Sequence, residues 1–299
     1  MKNFQEIVEK VKAHPVKKKI AAVAAHDHHT LEAINLAYKD GLLEPVLIGN
    51  AGEIKRLIDE QGFLFKEAEI IDVSDPVEAS KTAVMMASQG KVEAIMKGNI
   101  QTADLLKQVV NREYGLKEAD VLSHVAVFQM ESYPKLFIMT DGGMIPQPDV
   151  RQKCGIIQNA VKVMNRLGVA EPKVAALAAT EYVNPKIQSS IDAGELKRLN
   201  QEGVIKGCYV EGPIAYDLVV SKECAKIKGY DSPVVEDTDI LLMPEMTSGN
   251  ILAKTLMFDS GALMAGVVMG AKVPIVLVSR GGTAIEKYYS LALAAAVAE

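Results

Sequence analysis

Residues 69–99 read EIIDVSDPVEASKTAVMMASQGKVEAIMKGN, and this stretch decides the fold. The apolar run at 69–73 has the length of a strand. Asp75 then stands at a helix cap, Pro76 at the first helical position and Glu78 where a capping box needs its carboxylate. The helix started there runs to Gln89 and stops at Gly90. A second short apolar run, 94–96, ends in the turn Lys97-Gly98-Asn99. Strand, capped helix and strand make a βαβ unit, which calls for parallel strands and a right-handed crossover.

The same rhythm continues outward. Upstream, 19–25 and 45–48 read as strands, with helices at 31–38 and at 54–61, the latter closed by Gly62. Downstream, a helix is expected at 102–110. The runs 125–129 and 136–140, joined by a short polar link, form an antiparallel hairpin or a crossing between lobes. A long helix covers 150–167, a strand 174–178, a helix about 185–201 and a strand 240–243. A buried helix is expected over 251–268, a last strand at 275–278 and a terminal helix at 284–298. Glu211-Gly212-Pro213 reads as a turn. The fold class is α/β.

Composition agrees with that class. The chain has 299 residues, of which 49% are apolar, so a large core is available in one big domain or two lobes. There is no Trp and only 6 Phe, so the core rests on aliphatic residues, as in a parallel sheet covered by helices. The formal charge of -5 gives no general attraction for nucleic acid. Met1 to Pro15 is charged and amphipathic, without the apolar core of a signal peptide, and no stretch is long enough to span a bilayer. Cys154, Cys208 and Cys224 are odd in number and widely spaced, which indicates free thiols in a reducing cytoplasm rather than disulfides or zinc.

In a parallel sheet, ligands bind beyond the carboxyl ends of the strands, so the turns there carry the chemistry. The turn Ser279-Arg280-Gly281-Gly282-Thr283 offers two glycines for close backbone approach, an arginine fork for phosphate and the amides of a following helix. Thr283 and Glu286 also have capping-box spacing, so Glu286 has a purely structural reading as well. Lys97-Gly98-Asn99 with Thr102 and Lys107 surrounds a second turn with cations. Ser248, Gly249 and Asn250 form a third, where Ser248 and Asn250 can cap a helix. Asp141 in Thr140-Asp141-Gly142-Gly143 ends a fourth, as a substrate contact or a turn residue. His26-Asp27-His28-His29 is read as a turn capped by Asp27 with exposed histidines, because three imidazoles and a carboxylate within four residues cannot converge on one ion. No metal site is assigned.

Taken together, these turns resemble one family. Val278-Ser279-Arg280-Gly281-Gly282, residues 242–250 and Lys97-Gly98-Asn99 with Thr102-Ala103-Asp104 are similar to motifs of the phosphate acetyl/butyryltransferase family, in the family's order. Residues 210–217 and the Ala25-His26-Asp27 turn look more like its butyryl branch. The resemblance implies a fold like the isocitrate and isopropylmalate dehydrogenases: two α/β/α lobes with a cleft between them. Lobe I would hold residues 1–133 and 273–299, and lobe II residues 134–272.

It also implies reversible transfer of an acyl group, butyryl for preference, between coenzyme A and inorganic phosphate through a ternary complex. Coenzyme A and acyl-CoA are substrates, and no cofactor is permanently bound. Ser279 is implied to stabilise developing charge, Arg280 to bind phosphate and Glu286 to act as base. Lys97, Gly98, Asn99, Thr102, Lys107, Asp141, Ser248, Gly249, Asn250, Gly281 and Gly282 are implied to hold substrate. A homodimer or higher homo-oligomer built through lobe II, coupling to an acyl (butyrate) kinase and a cytoplasmic location follow from the same likeness, with neither nucleic acid nor membrane as partner. Each well-placed donor to a tetrahedral oxyanion is worth about 3–4 kcal/mol.

The chain departs from the acetyl branch at two positions. Phe258 falls where that branch has an arginine, and an apolar side chain there suits a longer acyl group. Lys107 replaces another arginine, keeping the charge without the fork. Phosphate acetyltransfer is the alternative within the family. Outside it stand an NAD- and metal-dependent hydroxy-acid dehydrogenase, for which Asp141, Asp237 and Asp239 are too scattered, and a non-catalytic acyl-CoA-binding protein.

Overall fold

The computed structural model describes residues 1–278 and 282–299. In chain order the elements begin with α1 (Phe4–Lys12), β1 (Lys18–Val23), α2 (His28–Lys39), β2 (Leu43–Gly49) and α3 (Ala51–Gln61). Then come β3 (Glu69–Asp72), α4 (Pro76–Ser88), β4 (Ala94–Lys97) and α5 (Thr102–Val109). The middle of the chain holds β5 (Ser123–Gln129), β6 (Phe137–Thr140), α6 (Val150–Arg166), β7 (Lys173–Leu177) and α7 (Gln188–Gln201). It continues with β8 (Tyr209–Ile214), α8 (Tyr216–Val220), α9 (Lys222–Lys228), β9 (Ile240–Leu242) and α10 (Met246–Phe258). The chain closes with β10 (Leu263–Met269), β11 (Ile275–Val276) and α11 (Ala284–Val297).

Two compact units result. The terminal unit comprises Phe4–Ala119 with Ala265–Glu299, and the inserted unit Asp120–Met264 with Met1–Asn3. The sequence placed these divisions at 133/134 and 272/273, whereas the contacts divide at 119/120 and 264/265. The reason is strand pairing. β5 lies antiparallel to β6, with Val127 opposite Ile138, and so stays with the inserted unit, while β10 pairs antiparallel with β11 and stays with the termini.

In the terminal unit the strands run β3-β2-β1-β4-β11-β10. β2, β3 and β4 are joined in parallel through β1 and β2, and β11 pairs in parallel with β4, so their carboxyl ends share one edge. Ile20, Ala21, Ala22 and Val23 are all buried, as a strand covered on both faces requires. The βαβ unit read from residues 69–99 is present. Asp75 accepts from the Glu78 amide at 2.8 Å and Pro76 opens α4. The inserted unit runs β5-β6-β9-β7-β8, with β6, β9, β7 and β8 mutually parallel. Its core includes Phe128 stacked on Phe137 at 5.6 Å.

Three segments differ from the sequence reading. The helix expected over 251–268 ends at Phe258, and 263–269 is strand β10. A seven-residue buried run with two adjacent valines has no period that separates helix from strand, and pairing with β11 decides it. Glu211-Gly212-Pro213, read as a turn, lies within strand β8 (Tyr209–Ile214), because Pro213 sits on an edge strand where no ladder donor is needed. In the last strand only Ile275 and Val276 are paired. No helix of the described residues is long and apolar enough to cross a membrane.

Candidate functional site

A cavity of about 560 Å³ opens in the terminal unit where β1, β4 and β11 run out. That is within the size range of small-molecule sites. Lys97, the last residue of β4, lines it together with Gly98 and Asn99, and so does Val278 beyond β11. The turn is built by backbone. The Gly98 amide donates to the Val23 carbonyl at 2.9 Å and the Asn99 amide to that of Ala24 at 3.0 Å. A Cβ on Gly98 would lie 2.5 Å from the Val23 oxygen and 2.7 Å from that of Ala24, so the close approach demands glycine here.

Helix starts surround this cavity. Asp27 caps α2 by accepting from the Thr30 amide at 3.0 Å, and both residues line the wall. Pro76 and Val77 bring the first turn of α4, and Gln101 and Asp104 that of α5. Gln101 gives α5 no side-chain cap. Lys287, in the first turn of α11, completes the lining. The amide ends of helices and two lysines favour an anion, while Asp27 and Asp104 add acceptors for ligand N–H or O–H groups.

Glu286 takes its structural role in full. Its Oε2 accepts from the Thr283 amide at 2.9 Å while the Glu286 amide donates to Thr283 Oγ1 at 3.3 Å, a reciprocal capping box. The carboxylate is half-buried, and among the described residues Oε1 has no hydrogen bond. Gly282 precedes this box. Ser279, Arg280 and Gly281 lie outside the described residues; their nearest described neighbours in the chain are Val278 and Gly282.

Thr102 and Lys107 lie on α5 but are not in the cavity lining; both are exposed. The remaining sequence-predicted residues come together in the inserted unit. Asp141 is 2% exposed, and its Oδ1 accepts from the amides of Gly143 and Met144 at 2.8 and 2.9 Å. Burial pushes this carboxyl up, against the pull of those amides. The Asp141-Gly142 turn packs on Gly249, where a Cβ would fall 2.8 Å from the Gly142 Cα, and Asn250 Nδ2 approaches the Gly142 carbonyl at 3.5 Å. Beneath it, desolvation lowers the His124 imidazole to about 4.

The cap of α10 is a correction. Glu245, not Ser248 or Asn250, is the capping residue, accepting from both the Thr247 and Ser248 amides at 2.6 Å. Its two carboxylate oxygens take one amide each. Ser248 Oγ instead donates to the Glu245 carbonyl at 3.0 Å. Phe258 stands at the far end of α10, 76% exposed, with Lys254 Nζ 5.9 Å above its ring. It therefore lies two helical turns from the Ser248–Asn250 group.

Sequence reasoning missed Lys287, Asp104 and the wall formed by Pro76 and Val77. The signal for Pro76 and Val77 is present in the sequence, since their cap follows a strand end, but the same spacing marks any helix start. His28, His29 and Glu32 present donor atoms within 4.8 Å of one another on the first turn of α2, with both histidines exposed as expected.

A family model described as "Phosphate acetyl/butaryl transferase" matches residues 73–295. The chain belongs to this family. The match takes in the cavity turn at Lys97, the Asp141 and Gly249 turns and the start of α11. A phosphate acetyltransferase of Thermotoga maritima is 42% identical over 281 residues, covering 94% of this chain and 95% of its own length. A phosphate butyryltransferase of Clostridium acetobutylicum is 38% identical over 298 residues, covering 100% and 99%. Among solved structures, a branched-chain phosphotransacylase from Enterococcus faecalis V583 superposes with a TM-score of 0.84 at 30% identity, covering 94% of this chain and 99% of that one. The phosphate acetyl/butyryltransferase resemblance and the α/β fold class expected from it both hold.

Proposed function

We propose that this protein is a phosphate acyltransferase that moves a butyryl or similar short acyl group reversibly between coenzyme A and inorganic phosphate. The observation that carries the reading is the cavity at the carboxyl edge of the parallel strands, walled by Lys97, Lys287 and helix starts, in a chain of this family. Phosphate held there attacks the thioester carbonyl. The C–O bond forms, the C–S bond breaks, and the proton lost by phosphate passes to the departing thiolate, giving acyl phosphate and CoA. Both substrates are bound at once, and no acyl-enzyme forms.

Within this proposal Arg280 binds phosphate and Ser279 donates to the oxyanion. Glu286 is the proton carrier through Oε1, the oxygen its cap leaves unused. The cap fixes where this carboxylate stands, and positioning of the proton carrier contributes to the rate. Lys97, Gly98 and Asn99 shape the phosphate side, with Gly281 and Gly282 giving backbone access. Asp141, Ser248, Gly249 and Asn250 form the second substrate-contacting group. Thr102 and Lys107 act from α5 beside the first.

Butyryl is preferred on the strength of residues 210–217 and the end-to-end likeness to the Clostridium relative. The acetyl reading is favoured by the higher identity of the Thermotoga relative. A location in the cytoplasm and a homo-oligomer joined through the inserted unit complete the proposal. Acyl phosphate is a mixed anhydride, so a phosphoryl transfer to a nucleoside diphosphate, by an acyl kinase, consumes it. Thiol release from acetyl-, butyryl- and hexanoyl-CoA with phosphate tests the reading: kcat/KM is expected to peak at butyryl, by about tenfold over acetyl. A peak at acetyl transfers the assignment to acetyltransfer.

A further inference from the structure

Two lysines reach the cavity from different elements, Lys97 from β4 and Lys287 from α11. Lys287 occupies an unfavourable place for a cation. It follows the capping Glu286 in the first turn of α11, where the helix presents its positive end. It is half-buried, so water does not fully solvate it. No carboxylate among the described residues forms an ion pair with it, although Asp104 and Asp27 share the cavity wall. Asp27 caps α2 through Oδ1, and its buried Oδ2 has no hydrogen-bond partner among the described residues. A cation with no ion-pair partner among the described residues and no favourable dipole is compensated when a dianion enters beside it.

Resting on the acyltransfer reading above, we infer that Lys287 is a substrate-binding residue whose ammonium takes a phosphoryl oxygen. With Lys97, which lines the same cavity, it brings two positive charges to that group. Lysine suits the task as a mobile point charge that adapts to a tetrahedral dianion. Two substrates bring such a group, inorganic phosphate and coenzyme A.

The test uses the full chain with Lys287→Met and Lys287→Arg. Thiol release is followed with phosphate varied at saturating butyryl-CoA, and with butyryl-CoA varied at saturating phosphate. Losing one charge-assisted contact is expected to raise a KM about tenfold or more in the Met variant, with kcat changed far less, and Arg is expected to recover most of the loss. A rise in the KM for phosphate identifies inorganic phosphate as the group held, and a rise in the KM for butyryl-CoA identifies the phosphates of coenzyme A. The unliganded Met variant is expected to unfold at or above the parent's temperature, because a charge opposed to the helix dipole is gone. Unchanged KM values alongside a parent that turns over overturn the inference and leave the acyltransfer reading standing. A lower unfolding temperature with unchanged KM makes Lys287 a structural residue. A parent that releases no phosphate-dependent thiol overturns both.

Discussion

Single residues fix the cavity turn. Gly98 has no room for a side chain, since the obstructing atoms are backbone carbonyls that cannot swing aside. Gly98→Ala is expected to cost about 2–4 kcal/mol in denaturant unfolding, and full stability in that variant would show that the turn relaxes. Glu286 separates two functions in one carboxylate. Glu286→Gln keeps an oxygen for the Thr283 amide and loses the proton carrier, so stability should hold while turnover falls about 100-fold. Glu286→Ala should lose both. Turnover near the parent's in the Gln variant would leave Glu286 a helix cap alone. The capping half of this was legible in the sequence, because Thr283 and Glu286 stand at the required spacing. Lys287 was not, because a lone lysine in a helix gives no sign of which wall it joins.

At the scale of elements, capping residues mark helix starts where the sequence places them, as Asp27, Asp75 and Thr283 do. Glu245 escaped notice because serine and asparagine are the commoner caps and both lie just after it. Strands β8 and β10 escaped because their identity depends on neighbours far away in sequence rather than on their own period. The β6 end couples packing to titration. Desolvation puts the folded-state pKa of His124 at about 4, below its unfolded value of about 6.5. The folded state thus resists protonation. The full contribution is present above about pH 6.5 and is lost as pH falls towards 4, on the order of 2 kcal/mol after allowing for partial exposure. Asp141, raised by burial, works in the opposite sense and returns stability as it protonates. Unfolding measured across this range should fall more steeply in the parent than in His124→Gln. Equal slopes would remove His124 as the cause.

On the scale of the whole molecule, alternation of strands and helices made the α/β class legible from residues 69–99 alone. The division into units was legible only approximately, since a hairpin and a short antiparallel pair decide which side each strand joins. The site was legible as turns rather than as a site. Strand ends identify which loops face a ligand, but the cavity formed by Lys97, Val278, Pro76 and Lys287 depends on how β1, β4 and β11 pair. The central claim is that phosphate is a reactant and not a bystander. Thiol release from butyryl-CoA, measured as phosphate is raised from zero, tests it most directly. The account predicts no release without phosphate, saturable release with it, and acyl phosphate formed in equal amount. Thiol released at the same rate without phosphate, or none released from any acyl-CoA, would contradict it.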